Sequence, residues 1–103
     1  MILLLCAHTS AQAAATDWIP ATTIIQVSNG WYGEQFVIIV ASGISTCPGG
    51  ANEYTVSTNH KAYKDMVAIA LTAFATGSTV LIRPDGSCLD NNRAAILELR
   101  LVR

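Results

Sequence analysis

The sequence predicts a mainly β (α+β) domain, a five-stranded Greek-key barrel with one helix between strands 3 and 4. Three observations predict this fold class. Short β-branched or apolar segments recur between turn residues, which is typical of β-strands. One segment changes to the 3.6-residue period of an amphipathic helix. The chain has 103 residues, of which 51% are hydrophobic, and a net charge of −1, as expected for a single folded domain.

The predicted strands are separated by turns that contain Gly, Pro or Asn. Asn29-Gly30 is typical of a tight turn between the first two strands. The apolar residues 36–40 do not alternate with polar ones, which predicts burial on both faces or a central place in the sheet. Leu97, Leu99 and Leu101 alternate with charged residues, which predicts one buried face. The strands are predicted at residues 22–28, 34–41, 53–57, 78–83 and 95–102, the fourth ending at the turn Pro84-Asp85-Gly86.

The predicted helix begins near Asn59 and ends at Gly77, a residue suited to the position after a helix. An apolar stripe at helical spacing predicts the face that packs on the sheet. The opposite face is only weakly polar, which suggests that a neighbouring subunit covers it. The predicted buried stripe is Tyr63, Met66, Val67, Ala70, Leu71 and Phe74, and the opposite face is Ala62, Ala68, Ile69, Thr72 and Ala73.

This order of elements is that of the OB-fold, a five-stranded Greek-key barrel whose helix lies between strands 3 and 4. The alternative is an α+β sandwich, with the helix on one face of an antiparallel sheet. Both arrangements fit one small domain with a marginal core, for which a covalent link would add stability.

The first residues differ in composition from the rest of the chain. Residues 2–6 are an apolar run, and Ala11-Gln12-Ala13 has the A-x-A form of a signal-peptide cleavage site. We therefore expect a signal peptide at residues 1–13, a single OB-like domain at residues 14–103, and a secreted or periplasmic location. The positive start of a signal is missing, which suggests truncation; the alternative is a buried N-terminal strand. The run is too short to span a membrane, which takes ~20 apolar residues.

The cysteines agree with export. Cleavage after Ala13 removes Cys6 and leaves Cys47 and Cys88, both in loop-like sequence rich in Gly, Pro or Asp. Two such cysteines in a small exported domain predict a disulfide; the alternative is two free thiols. Two distant cysteines with His8 and His60 do not have the spacing of a zinc site. We expect no metal and no cofactor.

Catalytic residues are not evident in the sequence. His60 is the one histidine left after cleavage, and it is expected at the solvent-facing start of the helix. The acidic residues are scattered, and no nucleotide-binding or hydrolase motif is present, so we expect no enzyme. A net charge of −1 gives no basic excess for nucleic acid.

Trp31 and Tyr32 are the candidate binding residues. They follow the predicted turn at Asn29-Gly30, where aromatic side chains can stack on sugar rings or anchor a protein partner. The alternative is that one of them folds back to cap the barrel. Trp18 is open to the same two interpretations.

The C-terminal sixty residues carry a family resemblance. Residues 70–77 (ALTAFATG) lead into Val80-Leu81-Ile82-Arg83, with Cys47 before the third strand and Cys88 after the fourth. This pattern resembles small secreted bacterial proteins related to the B subunit of subtilase cytotoxin. The resemblance implies an OB-fold and, as in the toxin members, a homo-oligomeric ring of five subunits with pore-lining helices. It also implies a host glycan as ligand and a catalytic A subunit as partner.

These observations together predict a non-catalytic secreted binding module, toxin-B-subunit-like and glycan-binding. One alternative is a structural or interaction protein of the cell envelope with no glycan ligand. The other is a small secreted enzyme or enzyme inhibitor.

Overall fold

The computed structural model describes residues 17–30 and 35–103. Within these residues the chain forms five strands and one helix, which close into a barrel in the order β1-β2-β3-β5-β4. This confirms the predicted mainly β class, with the helix between strands 3 and 4. The elements are β1 (Thr22–Ser28), β2 (Gln35–Val40), β3 (Glu53–Ser57), α1 (Tyr63–Thr76), β4 (Thr79–Cys88) and β5 (Ala94–Val102).

The barrel closes through one short parallel pairing. Tyr54 and Thr55 of β3 pair with Ala94 and Ala95 of β5, whereas the other strand pairs are antiparallel. Strand β1 pairs with β2 on one side and, at its beginning, with β4 on the other. Because the sheet closes on itself, the sandwich alternative is excluded.

The core fills the inside of the barrel with aliphatic side chains from every strand. Val37 and Ile38 are both buried although they are adjacent in β2, as the lack of alternation predicted. In β5 the prediction of one leucine face is wrong, because Leu99 is buried while Leu97 and Leu101 are exposed. Ile96 instead of Leu97 faces the core, since the register shifts beside Leu97. Pro84 pairs with Ile96 while the preceding residue of β4 pairs with Glu98.

Helix α1 packs on the barrel through a face of small residues. Met66 is 3% exposed, and Ala70 and Ala73 are fully buried. The predicted stripe is wrong at its C-terminal half, because Leu71 is 45% exposed and Phe74 is 44% exposed. Both helix faces are apolar in sequence, and the small alanine side chains let the helix backbone lie close to the sheet.

The ends of the helix differ in how well they were predicted. Gly77 has the left-handed φ of 70°, and its N–H bonds to the Ala73 carbonyl, as expected of a glycine that ends a helix. The helix begins at Tyr63 and not near Asn59. The Ser57 hydroxyl accepts a hydrogen bond from the Asn59 N–H at 3.1 Å, so these residues form a turn before the helix.

Candidate functional site

A cavity of about 320 Å³ opens at the end of the barrel where β3 and β5 begin. Three segments that are distant in sequence surround it: the residues before β1, the loop between β2 and β3, and the last part of β4. Its apolar and hydroxyl-bearing walls are formed by Asp17, Ile19, residues 44–47, Tyr54, Pro84, residues 86–88 and Ala94.

The disulfide joins two of these walls. Cys47 in the β2–β3 loop is bonded to Cys88 at the end of β4, with 5.8 Å between the Cα atoms, which confirms the predicted pair. Cys47 is buried, whereas Cys88 is exposed. Both residues line the cavity, so the bond fixes the distance between the loop and the strand that face each other across it.

A large bulge in β4 forms the strand side of the cavity. Pro84 pairs with Ile96 and Cys88 pairs with Ala94, so four steps along β4 match two steps along β5. The sequence prediction that β4 ends at Arg83 is wrong, because the strand continues through Pro84-Asp85-Gly86 to Cys88. Gly86 has a φ of 92°, a conformation that favours glycine. Bulges of this kind are frequent at barrel rims and beside functional sites.

Hydrogen bonds from backbone N–H groups to side-chain oxygens hold the loop side of the cavity. The hydroxyl of the fully buried Tyr54 accepts a hydrogen bond from the Ile44 N–H at 3.1 Å. The Asn52 side-chain oxygen accepts one from the Gly43 N–H at 2.8 Å. A Cβ atom at Gly43 would lie 2.4 Å from the Ala51 carbonyl oxygen, so only glycine fits there. The wall therefore has a fixed shape in addition to the covalent link.

Burial raises the pKa of the Tyr54 hydroxyl, and the hydrogen bonds from the Ile44 and Ser45 backbone lower it by less. Because the folded chain holds this proton more tightly than the unfolded chain, Tyr54 contributes stability below the unfolded pKa of about 10 that is lost as pH rises above it. We expect urea denaturation to show a falling unfolding free energy above this pH, and a smaller fall in Tyr54→Phe. An equal fall in both proteins would contradict the assignment.

His60 has a structural place in the fold. Its Nδ1 accepts a hydrogen bond from the Ala62 N–H at 2.9 Å, so the ring carries its hydrogen on Nε2 and donates it to the Leu97 carbonyl at 3.0 Å. Both ring nitrogens are used, and the residue ties the start of α1 to β5.

The described part of the chain includes two ion pairs. The Arg93 Nε lies 2.7 Å from the Glu53 carboxylate, and the Arg100 Nε lies 2.8 Å from that of Glu98. Among residues 17–30 and 35–103, no group of three His, Cys, Asp or Glu side chains is placed to hold a metal ion. None of the helices in this part of the chain is long and apolar enough to cross a membrane.

The candidate binding residues Trp31 and Tyr32 lie outside the described residues, as does the predicted signal peptide. Gly30, just before the two aromatics, has a φ of 81° and donates its N–H to the Ser28 hydroxyl, as a turn there requires. Trp18 lies half-buried with its ring centroid 4.5 Å from the Arg100 guanidinium carbon, a cation–π contact. Sequence reasoning missed the cavity, and the paired loop cysteines were the one signal that marked its walls.

A comparison with protein families gives a match that covers the residues lining the cavity. A family of unknown function (DUF5992) matches residues 1–97. The chain belongs to this family. Every residue that lines the cavity, including both disulfide cysteines, lies within the part matched to DUF5992. The curated proteins contain no match to the chain.

Proposed function

We propose that this chain is an exported, non-catalytic binding module that takes a sugar residue of a glycan in the cavity beside the disulfide. The observation that carries the proposal is the cavity itself, with hydroxyl groups and apolar walls on a rigid barrel end. Ligand sites are typically concave, mostly apolar, and supplied with a few placed polar groups. A volume of about 320 Å³ is near the lower limit of such sites and fits one small ring.

The lining matches the two-sided chemistry of a sugar. Ile19, Ile44 and Pro84 offer apolar surface to the C–H face of a ring, and Ser45 and Ser87 offer hydroxyl groups to its O–H groups. In OB-folds the loops between strands 1 and 2 and between strands 4 and 5 border the surface that binds oligosaccharides. Cys88 and Ala94, which flank the β4–β5 connection, both line the cavity.

The disulfide supports an exported location. Such bonds persist in oxidising compartments and are rare in the cytosol. A secreted or periplasmic chain that begins with a cleaved signal peptide would form the Cys47–Cys88 bond after export. The proposed relation to toxin B subunits adds a host glycan as ligand, a ring of five copies and a catalytic A subunit as partner.

Glycan-array binding of the oxidised exported chain tests the proposal. Ile44 is 60% exposed at the cavity, so Ile44→Trp can block the opening without disturbing the core. We expect this change to abolish binding at an unchanged melting temperature. Loss of binding in Trp31→Ala and Tyr32→Ala, but not in Ile44→Trp, would move the site to the β1–β2 hairpin. A chain that binds no glycan would contradict the proposal.

A second candidate is an interaction protein of the cell envelope, and the outer face of α1 favours it. Leu71 and Phe74 are both exposed on this face beside the small side chains of Ala68 and Ala75. Exposed apolar residues that lie together mark protein contacts more often than single ones do.

If copies of the chain associate through this face, Leu71→Lys with Phe74→Lys will shift the oligomer to monomer in native mass spectrometry. The matched control is Ile25→Lys, an apolar residue of β1 that is 57% exposed and should leave the assembly unchanged. A wild-type chain that is already monomeric would contradict association through α1.

A further inference from the structure

We infer that the cavity selects neutral sugar rings over acidic ones, and that Asp17 determines this selectivity. The inference rests on the proposed function and assigns the chemical class of its ligand. It follows from the charge of the lining and from the directions in which the hydroxyl groups of the lining can donate and accept.

The formal charge of the described cavity lining is negative only. Asp17 carries the one formal charge among the described residues that line it, and neither lysine nor arginine is among them. Asp17 is exposed, and within residues 17–30 and 35–103 it makes no hydrogen bond or ion pair. The Arg93 side chain, the cation at the start of β5, is already paired with Glu53. A ligand carboxylate in the cavity would therefore meet a like charge and, among the described lining residues, no opposite one.

The hydroxyl groups favour a ligand that can donate as well as accept. The Ser87 hydroxyl donates to the Asp85 carboxylate at 2.6 Å, so toward the cavity its oxygen can only accept. The Ser45 oxygen accepts the Cys47 N–H at 3.1 Å and keeps its own hydrogen to donate. Asp17 is a second acceptor, and the Thr46 and Tyr54 hydroxyls also line the cavity, so it offers acceptors as well as donors.

A sugar hydroxyl matches this set because it donates and accepts at the same atom. An ionised carboxylate only accepts, so it would leave Asp17 and Ser87 unmatched in addition to the charge repulsion. The two effects act in the same direction, and both are removed or reduced when the ligand carries a primary alcohol in place of the acid.

Three matched pairs of methyl glycosides test the inference: galactoside and galacturonoside, glucoside and glucuronoside, mannoside and mannuronoside. Each pair differs only in a primary alcohol against a carboxylate. Binding is followed by the ¹⁵N–¹H shifts of the amides of Cys47, Ser87 and Ala94 in the oxidised full chain. We expect the acidic member to bind about threefold to tenfold more weakly, as repulsion between two unit charges about 4 Å apart in water predicts.

Asp17→Asn should narrow the difference in affinity between the two members of a pair, and added salt should narrow it in the wild type by screening. The matched control is Asp65→Asn, a carboxylate exposed on α1 outside the cavity, which should leave the difference unchanged.

Equal binding of both members by the wild type, or tighter binding of the acid, would overturn the inference and leave the proposed function intact. A difference of unchanged size in Asp17→Asn would overturn the role of Asp17. If no sugar of any pair shifts the cavity amides, the proposed function fails and the inference fails with it.

Discussion

The double substitution Cys47→Ser, Cys88→Ser will lower the free energy of unfolding by about 4 kcal/mol. The bond closes a loop between residues 41 positions apart, and loop-closure entropy gives roughly this value for a loop of that length. Folded proteins have a total stability of roughly 5–15 kcal/mol, so the variant should lose a large part of its stability. Urea denaturation of oxidised wild type and variant measures the difference.

Chemical reduction of the disulfide tests the effect of losing the bond separately from the effect of the two serine substitutions. A dithiol should destabilise the wild type by the same amount and leave the double variant unaffected, and intact mass should show two added hydrogens in the wild type alone. A loss of stability below about 1 kcal/mol would mean that the hydrogen bonds of the β2–β3 loop hold this wall by themselves.

The second large loss of stability is expected for a side chain of helix α1 that packs on the barrel. Met66→Ala will destabilise the domain by about 2–5 kcal/mol, because Met66 is 3% exposed within the core and its removal leaves a void. Phe74→Ala, on the same helix, will cost less than about 1 kcal/mol, because Phe74 is 44% exposed.

The pair of substitutions tests which side of the helix is buried. Thermal or urea unfolding of both variants is sufficient, since they share length, helix and background. A larger loss of stability in Phe74→Ala than in Met66→Ala would contradict the exposure of Phe74 and restore the C-terminal half of the stripe that the sequence alone predicts. Phe74→Ala should, however, weaken any association that depends on the outer face of α1.

The order of the elements and the disulfide could be predicted from the sequence because both depend on local signals. Strand composition, the change to a helical period and Gly77 each act over a few residues. The buried face at the C-terminal half of the helix could not, because Leu71 and Phe74 continue the predicted stripe while Ala73 belongs to the opposite face. Which stripe is buried depends on the space between the helix and the sheet, and the smaller side chains fit it.

The bulges mark a second limit of prediction. Pro84-Asp85-Gly86 has the composition of a turn that ends a strand, yet the chain passes through it as a bulge and continues to Cys88. The extra residue at Leu97 likewise shifts the register of β5, so that the side chains before it alternate between the two faces out of step with those after it. A side-chain pattern with a period of two cannot reveal an insertion in the register, because only the partner strand shows it.

The candidate site was hidden for a related reason. Its walls come from residue 17, from the loop near residue 45 and from the strand near residue 87, and no local pattern connects these positions. The predicted aromatic pair, Trp31 and Tyr32, depends on a local signal, the turn at Asn29-Gly30 that precedes it. A cavity formed by distant segments becomes visible only when the topology has brought them together.

The brief parallel contact between β3 and β5 has a consequence for when the barrel can form. Tyr54 and Ala94 must pair across 39 intervening residues, and pairings of such long range slow folding. Cys88 pairs with the same Ala94, so the partner of Cys47 is positioned by the same event that closes the ring. In an exported chain, we therefore expect the Cys47–Cys88 disulfide to form once β3 has paired with β5. Until that pairing closes the barrel, we expect the two thiols to remain unpaired.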